Sequence, residues 1–272
     1  MGADISRSRF DPDNDHSGVV LQQGRLLLDA DWNELVDILS RRLRADAADL
    51  GSAGPSAGIA GVAVVPRTTP DAFGVTLSGG ALSIGRGRMY VDGLLAENHG
   101  TGPVEFDPLL AEERGTLDTP YEQQPYWPEP ATLPSTGSYL AYLDVWEREV
   151  TSVENPGLID PAIGVDTTAR TQVAWQVRLH PLDGAAVTCS SPDADIPGWT
   201  ELIAPSGARL TVDTIEVDDE DDECPSPPTG GYRGPENQLF RVEIHDGGQP
   251  GTATFTWSRD NGSVLDGHLL LY

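Results

Sequence analysis

Three acidic residues near the start of the chain have the types and spacing of a metal-binding loop. Asp11, Asp13 and Asp15 alternate along the sequence, and a hard cation such as Ca²⁺ needs several carboxylate oxygens placed in this way. The pattern then departs from a calcium loop, because His16 stands where a glycine makes the sharp turn and Gln22 where a bidentate glutamate belongs. The three aspartates are therefore weak metal candidates, with a solvated acidic turn as the alternative.

The two cysteines, Cys189 and Cys224, are the next candidates for chemistry. Two thiols alone cannot form a structural zinc site. A disulfide between them would stabilise the chain by roughly 3 to 4 kcal/mol in the chain-entropy model, whereas a cytoplasmic protein normally keeps both thiols reduced. Both alternatives stay open. The nearby acidic run Asp218–Glu223 predicts an exposed loop.

Enzymatic motifs are lacking in the sequence. No Gly-x-Ser-x-Gly elbow and no phosphate-binding loop is present. The histidines have no close spacing with Cys, Asp or Glu that is typical of a metal site. We therefore expect a non-enzymatic protein without catalytic residues and without a cofactor; a hydrolase assembled from distant acids is an alternative. The histidines are His16, His99, His180, His245 and His268.

Composition limits the partners. The net charge is −26, from 43 acidic and 17 basic residues, and every basic residue is arginine. Nucleic acid and anionic membranes need a basic surface, so the charge argues against both as partners. Adaptation to a salt-rich cytoplasm explains the carboxylates as well as the missing lysine, while a GC-rich coding bias explains only the lysine. No signal segment or membrane-spanning stretch occurs, which predicts synthesis in the cytoplasm.

The best-patterned element lies within residues 1–50, which we predict to be a docking strand and helix. A β-prone run, Val19–Leu28, leads directly into a helix that Asp31 caps, with Glu34 reaching back to the cap. Helical spacing puts several apolar side chains on one stripe. The candidate assembly contact on this stripe consists of Trp32, Leu35, Val36 and Leu39. Leu43 lies on the same stripe.

The rest of the chain predicts a mainly β (α+β) fold of antiparallel β modules joined by long Pro/Gly-rich loops. A small-residue linker precedes a small β module at 59–98. The stretch 99–137 reads as a long loop whose aromatic residues form either a strap across a sheet or a ligand- or partner-binding arm. A larger antiparallel domain covers 138–272, with an acidic insertion at 181–234; in it, 138–150 pairs with 171–179 and a β-meander follows. The loop aromatics are Tyr121, Tyr126 and Trp127.

Several stretches spread over most of the chain resemble an uncharacterised bacterial and archaeal family associated with phage-tail-like contractile injection systems. They are Ser6–Pro12, Ser17–Val19, Gln22–Arg25, Leu28–Glu34, Tyr142–Thr151, Ala169–Val177, Gly230–Gly248 and Thr254–Ser263. The glycine-bounded segment Gly87–Gly93 is also similar to β modules near the bases of phage tail fibres.

The resemblance implies a structural component of such a particle, at its baseplate or tail-fibre end. Its partners are expected to be other subunits of the particle, in a symmetric homo-oligomer such as a trimer or hexamer, and the particle is expected to be released from the cell. The resemblance carries no catalytic residues over to this chain. A carbohydrate or cell-surface binding module is the alternative if Tyr121, Tyr126 and Trp127 line an exposed groove.

Overall fold

The computed structural model describes residues 10–51, 63–108, 111–130, 132–188, 191–205, 207, 209, 241–249, 251–258 and 265–268. The chain divides into two compact units. One unit is Arg7–Ala204, and the other combines Met1–Ser6 with Pro205–Tyr272. Cys189, Cys224, the acidic run and the second turn of the predicted meander lie outside the described residues.

The described residues form two α-helices and thirteen strands, which confirms the predicted mainly β fold. The helices are α1 (Asp29–Gly51) and α2 (Trp199–Ile203). The strands are β1 (Ala63–Val64), β2 (Val75–Ser78), β3 (Ala81–Ile84), β4 (Gly87–Val91), β5 (Leu94–Asn98), β6 (Thr101–Asp107), β7 (Glu112–Leu117), β8 (Thr119–Pro120), β9 (Tyr139–Val150), β10 (Arg170–Pro181), β11 (Arg241–Asp246), β12 (Thr254–Ser258) and β13 (Leu265–His268).

All strand pairings between these elements are antiparallel. In the first unit the sheets are β1-β4-β5, β2-β3-β8, β6-β7 and β9-β10. In the second unit β11, β12 and β13 form a meander, as the sequence predicts. The hairpin β4-β5 turns at Asp92 and Gly93, which both have positive φ. An Asp-Gly pair suits such a two-residue turn because both positions tolerate the left-handed conformation.

The core of the first unit centres on the long ribbon β9-β10. Trp175 is 1% exposed and lies on one face of the ribbon with Val177. Phe73 meets the indole of Trp175 edge to face, with ring centroids 5.0 Å apart, and the indole Nε1 donates to the carbonyl of Glu97 at 2.8 Å. The predicted pairing of 138–150 with 171–179 is confirmed. Trp146 pairs with Ala174 on the opposite face and is half-buried.

This core joins segments that the sequence assigns to different domains. Phe73, Ile84 and Ala96 come from the predicted 59–98 module and contact a cluster that includes Trp175 and Val177. These side chains share one apolar cluster, which lies within the compact unit Arg7–Ala204. Helix α1 belongs to the same unit.

The predicted N-terminal strand is wrong for the described residues. Residues 15–28 form no strand there, since no neighbouring strand supplies hydrogen bonds for them. The helix also begins two residues before the predicted cap, at Asp29. Asp31 therefore lies in the first turn, where a carboxylate complements the helix dipole. The carboxylate of Glu34 contacts His16 and does not reach back to the helix cap as predicted. Oε1 of Glu34 lies 3.3 Å from Nδ1 of His16.

The predicted loop at 99–137 contains a β-hairpin, so that part of the prediction is wrong. Strands β6 and β7 pair with a bulge after Thr101. The hairpin was not apparent from the sequence because its large apolar side chains face solvent: Val104 is 62% exposed and Phe106 63%. An apolar-in, polar-out alternation is the signal that identifies a strand, and this hairpin lacks it.

Candidate functional site

The inner face of helix α1 rests on the β domain at the turn of the β4-β5 hairpin. Ala30 is 1% exposed and Ile38 is 5% exposed. The guanidinium of Arg44 donates to the carboxylate of Asp92 at 2.6 Å and to its carbonyl at 2.9 Å. A Cβ on Gly93 would lie 2.2 Å from the carbonyl oxygen of Arg44, so the helix and the turn approach too closely for any other residue. These contacts fix which face of α1 turns towards the domain.

The opposite face of α1 carries a row of exposed apolar side chains, which we call the α1 outer stripe. Trp32 is 58% exposed, Val36 41%, Leu39 49% and Leu43 69%. Their spacing of four, three and four residues aligns them along one side of a helix, roughly 100–160° around the helix from Ile38. The structure thus brings together three of the four residues predicted for an assembly contact, with Leu43 from the same predicted stripe. Leu35 is half-buried at the edge of the stripe.

The segment before α1 also exposes apolar side chains. Val20 is 87% exposed, Leu21 67% and Leu26 88%. Single exposed apolar residues are common on protein surfaces, but a continuous patch larger than a few hundred Å² is typical of an interaction site.

A cavity of about 870 Å³ lies between α1 and the β4-β5 hairpin, lined in part by Ala48, Tyr90 and Leu95. Leu43, at the end of the α1 outer stripe, also borders this cavity. Asp37 faces this cavity from the helix. Burial, followed by repulsion from Glu147 and Glu34, raises the pKa of Asp37 above its ordinary value of 3.8. The helix therefore sits on its domain with some open space and with like charges across part of the contact.

The aromatic residues of the predicted strap or arm lie against the core. Tyr121 is 2% exposed, and its ring meets Trp127 edge to face at 5.9 Å. Tyr126 meets Trp175 in the same way at 6.3 Å, and the guanidinium of Arg178 lies 5.7 Å from the Trp127 ring. The residues thus form a strap on the β9-β10 ribbon.

Gln124 holds this strap to the ribbon, and sequence reasoning missed it. Its Oε1 accepts from the backbone N–H of Val177 at 2.6 Å, and its Nε2 donates to the carbonyl of Val177 at 3.0 Å. The side-chain amide thereby pairs with a peptide group at the edge of β10, as a neighbouring strand would. A glutamine in a Pro-rich loop gives no sequence signal for this role.

Asp11, Asp13 and Asp15, the weak metal candidates, form part of a local turn. Asp11 caps a short 3-10 turn over Pro12–Asn14 by accepting from the backbone N–H of Asp13 at 3.0 Å. Asp15 ends the turn in the left-handed conformation. Within the described parts of the chain, no three His, Cys, Asp or Glu side chains converge on a point where a metal ion could bind.

A second open site, which the sequence did not predict, is a cleft between the β2-β3 and β6-β7 hairpins. Its volume is about 860 Å³. Four carboxylates line it, from Asp71, Glu105, Asp107 and Asp118. Its two arginines already have partners: Arg86 donates to the carbonyl of Gly115, and Arg114 to that of Asn98, both at 2.6 Å.

Val75 of β2 and Phe106 of β6 line the cleft with exposed apolar side chains. Val75 and Leu77 share one face of β2, and Val104 and Phe106 share one face of β6. All four are at least 39% exposed. We call this group of four residues the β2/β6 surface. It was missed because exposed apolar positions on short strands have no pattern that separates them from a loop.

Comparison with known proteins identifies a family for this chain. Among the described residues, no helix is both long and apolar enough to cross a membrane. No curated protein and no solved structure matches the chain. The sequence matches the Family of unknown function (DUF6519) over residues 1–196 and 202–267. Because the match covers nearly the whole chain, the protein belongs to that family.

Proposed function

We propose that the protein is a structural, non-enzymatic subunit that assembles with further subunits through the outer face of α1. The observation that carries this proposal is the α1 outer stripe, in which Trp32, Val36, Leu39 and Leu43 are all more than 40% exposed. A helix that is apolar on two opposite faces is normally covered on both. The domain covers one face, and a partner subunit is proposed to cover the other.

The sequence resemblance supports the kind of assembly. We propose a symmetric homo-oligomer, a trimer or hexamer, within a phage-tail-like contractile injection particle at its baseplate or tail-fibre end. Closed symmetric oligomers reuse one surface on every subunit, and a single stripe fixed on a docked helix provides such a surface. Release of the finished particle from the cell belongs to the same proposal.

The packing of the strap aromatics weakens the carbohydrate-binding alternative. That alternative depends on Tyr121, Tyr126 and Trp127 lining an exposed groove, whereas Tyr121 is buried and the other two contact the core. An aromatic ring must present an open face to stack on a sugar. The hydrolase alternative stays a prediction from the sequence.

Substitution of Leu39 by glutamate tests the proposed assembly contact. Leu39→Glu places a charge in the centre of the stripe, which must lose its water on assembly, and burial of an unpaired charge is costly. We expect the Leu39→Glu variant to elute at the monomer mass of 29.0 kDa where the unmodified chain elutes at a multiple of it. Light scattering after size-exclusion chromatography measures both masses.

The matched control is Val153→Glu. Val153 is 63% exposed in the loop that follows β9, so its substitution adds the same charge to an exposed apolar site outside the stripe. We expect its mass to equal that of the wild type. Assembly of Leu39→Glu at the wild-type mass would refute the proposal.

A further inference from the structure

We infer that the α1 outer stripe pairs with the same stripe of a second copy, with the two helices antiparallel about a two-fold axis. This inference rests on the proposed function and describes the geometry of its contact. A two-fold contact uses one surface on both subunits, so that surface must be complementary to itself. The stripe meets this requirement in its spacing, in the sizes of its side chains and in the charges along α1.

The spacing of the stripe is the same when it is read in either direction. Trp32, Val36, Leu39 and Leu43 are separated by four, three and four residues, and each is more than 40% exposed. Such steps are those of helices that pack knobs into holes. A two-fold axis midway between Val36 and Leu39 places Val36 of each copy beside Leu39 of the other, and Trp32 beside Leu43.

The sizes of the side chains favour the antiparallel direction. Facing layers pack best when a large side chain meets a smaller one, and the antiparallel pair sets each indole of Trp32 against a leucine. A parallel pair would set the two indoles against each other at one end of the contact. The two copies of Leu43 would then meet alone at the other end.

The charges along α1 are divided in the same sense. The part from Asp29 to Asp37 has four acidic residues and no basic one, whereas the three arginines of the helix lie between positions 41 and 44. Antiparallel helices bring the acidic part of each copy beside the arginines of the other, and their dipoles also oppose each other. Parallel helices would bring like charges together, which weakens an interface.

Arg42 is the arginine closest to this contact. Arg41 and Arg44 line the cavity between α1 and the β4-β5 hairpin, and Arg44 donates to Asp92. Arg42 is exposed and lies about a quarter turn from the stripe, on the side that also carries Asp31. The two-fold axis brings Arg42 of each copy within about one helical turn of Asp31 of the other.

Asp46 limits the length of the contact. It follows Leu43 by three residues on the same side of the helix and is exposed. The two-fold axis places it opposite Asp29 of the other copy, at both ends of the pair. The apolar contact therefore ends after four side chains per copy and has charged groups at its rim, as is usual for an interface between subunits.

The pairing also selects between the two proposed sizes. A two-fold contact joins copies in pairs, so a trimer cannot cover every stripe with another stripe. A hexamer made of three pairs covers all six. Of the trimer and the hexamer, this inference therefore predicts the hexamer.

Cysteine cross-linking tests the direction of the two helices. Trp32→Cys and Leu43→Cys each place one thiol on the stripe, at positions that lie about 16 Å apart along a helix. In the antiparallel pair these two positions face each other, whereas identical positions are too far apart for a disulfide, which needs Cα atoms within about 7 Å. After oxidation, an equimolar mixture of the two variants should contain the disulfide between positions 32 and 43 and none between identical positions.

Peptide mapping by mass spectrometry identifies each disulfide and separates it from any product of Cys189 or Cys224. The matched control is Val153→Cys, which places a thiol at an exposed apolar position outside the stripe. Mixed with Leu43→Cys, it should give no disulfide between positions 153 and 43. Near-ultraviolet circular dichroism checks that each variant keeps the fold.

The outcomes separate this inference from the proposed function. Disulfides between identical positions would mean parallel helices and refute the inference, while assembly through α1 would stand. Absence of the disulfide between positions 32 and 43, at a protein concentration where the unmodified chain is assembled, would refute it as well, and so would a trimer in solution. If Leu39→Glu assembles like the unmodified chain, both proposals fail.

Discussion

Two tryptophans in this chain differ in how far their side chains are buried. Trp175 is 1% exposed, with an aromatic ring on one side and its indole nitrogen bonded to a carbonyl. Trp32 is 58% exposed, on the side of α1 that faces away from the domain. The first residue has all its contacts within its own chain. The second has a large apolar surface that an intramolecular role does not explain, and this is why we place assembly there.

The largest expected difference between the two tryptophans is in the free energy of unfolding that each contributes. Trp175→Ala should lower the free energy of unfolding by about 3–5 kcal/mol, because it leaves a cavity in the core. Trp32→Ala should change it by no more than about 0.5 kcal/mol, as is usual for an exposed position. Urea unfolding measures both, in the monomeric Leu39→Glu background so that assembly does not contribute. Equal losses at the two sites would remove the distinction between them.

The strap provides a smaller test of the buried region. Gln124→Ala should cost about 1–3 kcal/mol, because the backbone groups of Val177 lose their buried partners. The adjacent Gln123 is exposed, so Gln123→Ala is the matched control and should have almost no effect. Thermal unfolding distinguishes the two variants. A cost no greater than that of the control would mean that water replaces the amide without loss.

The smallest expected effect on stability concerns the contact between α1 and the β domain, and it depends on pH. The pKa of Asp37 is raised above 3.8 by burial and by the nearby Glu147 and Glu34. The folded state therefore holds this proton more tightly than the unfolded state, and stability is lost as pH rises through the folded pKa. Asp37→Asn removes that loss. The variant should be more stable than the wild type at pH about 7, with the difference vanishing as pH falls below 3.8.

Urea midpoints across this pH range measure the effect of Asp37→Asn. Asp46 is exposed on the same helix, and Asp46→Asn controls for the loss of one negative charge. A stability difference that stays constant with pH would contradict the assignment to Asp37.

Much of the fold follows from the sequence where apolar alternation is intact. The pairing of β9 with β10 was predicted from their strand-like alternation. The sequence analysis placed β4 and β5 in the 59–98 module without identifying the turn between them, although its Asp-Gly pair is a hairpin signal. Hairpin β6-β7 was not predicted, since Val104 and Phe106 face outward. The predicted strand before α1 failed for the opposite reason: Val19–Leu28 has the composition of a strand but no neighbouring strand in this chain.

The candidate site was partly predictable. Helical periodicity identified Trp32, Val36 and Leu39 as one stripe, but periodicity alone cannot tell whether a stripe faces the core or solvent. Contacts far apart in sequence decide this: Arg44 with Asp92, and Gly93 beneath the helix backbone. The cleft is formed by loops and strands between residues 68 and 118, and no local pattern indicates it.

The mass of the unmodified chain tests the central claim most directly. Sedimentation equilibrium on the wild-type protein, in KCl from about 0.15 M to about 1 M, measures it without any substitution. We predict a closed oligomer whose mass is a multiple of 29.0 kDa, with a trimer or hexamer as the expected size. A single species of 29.0 kDa at every salt and protein concentration would contradict the account, because the α1 outer stripe would then be uncovered in solution.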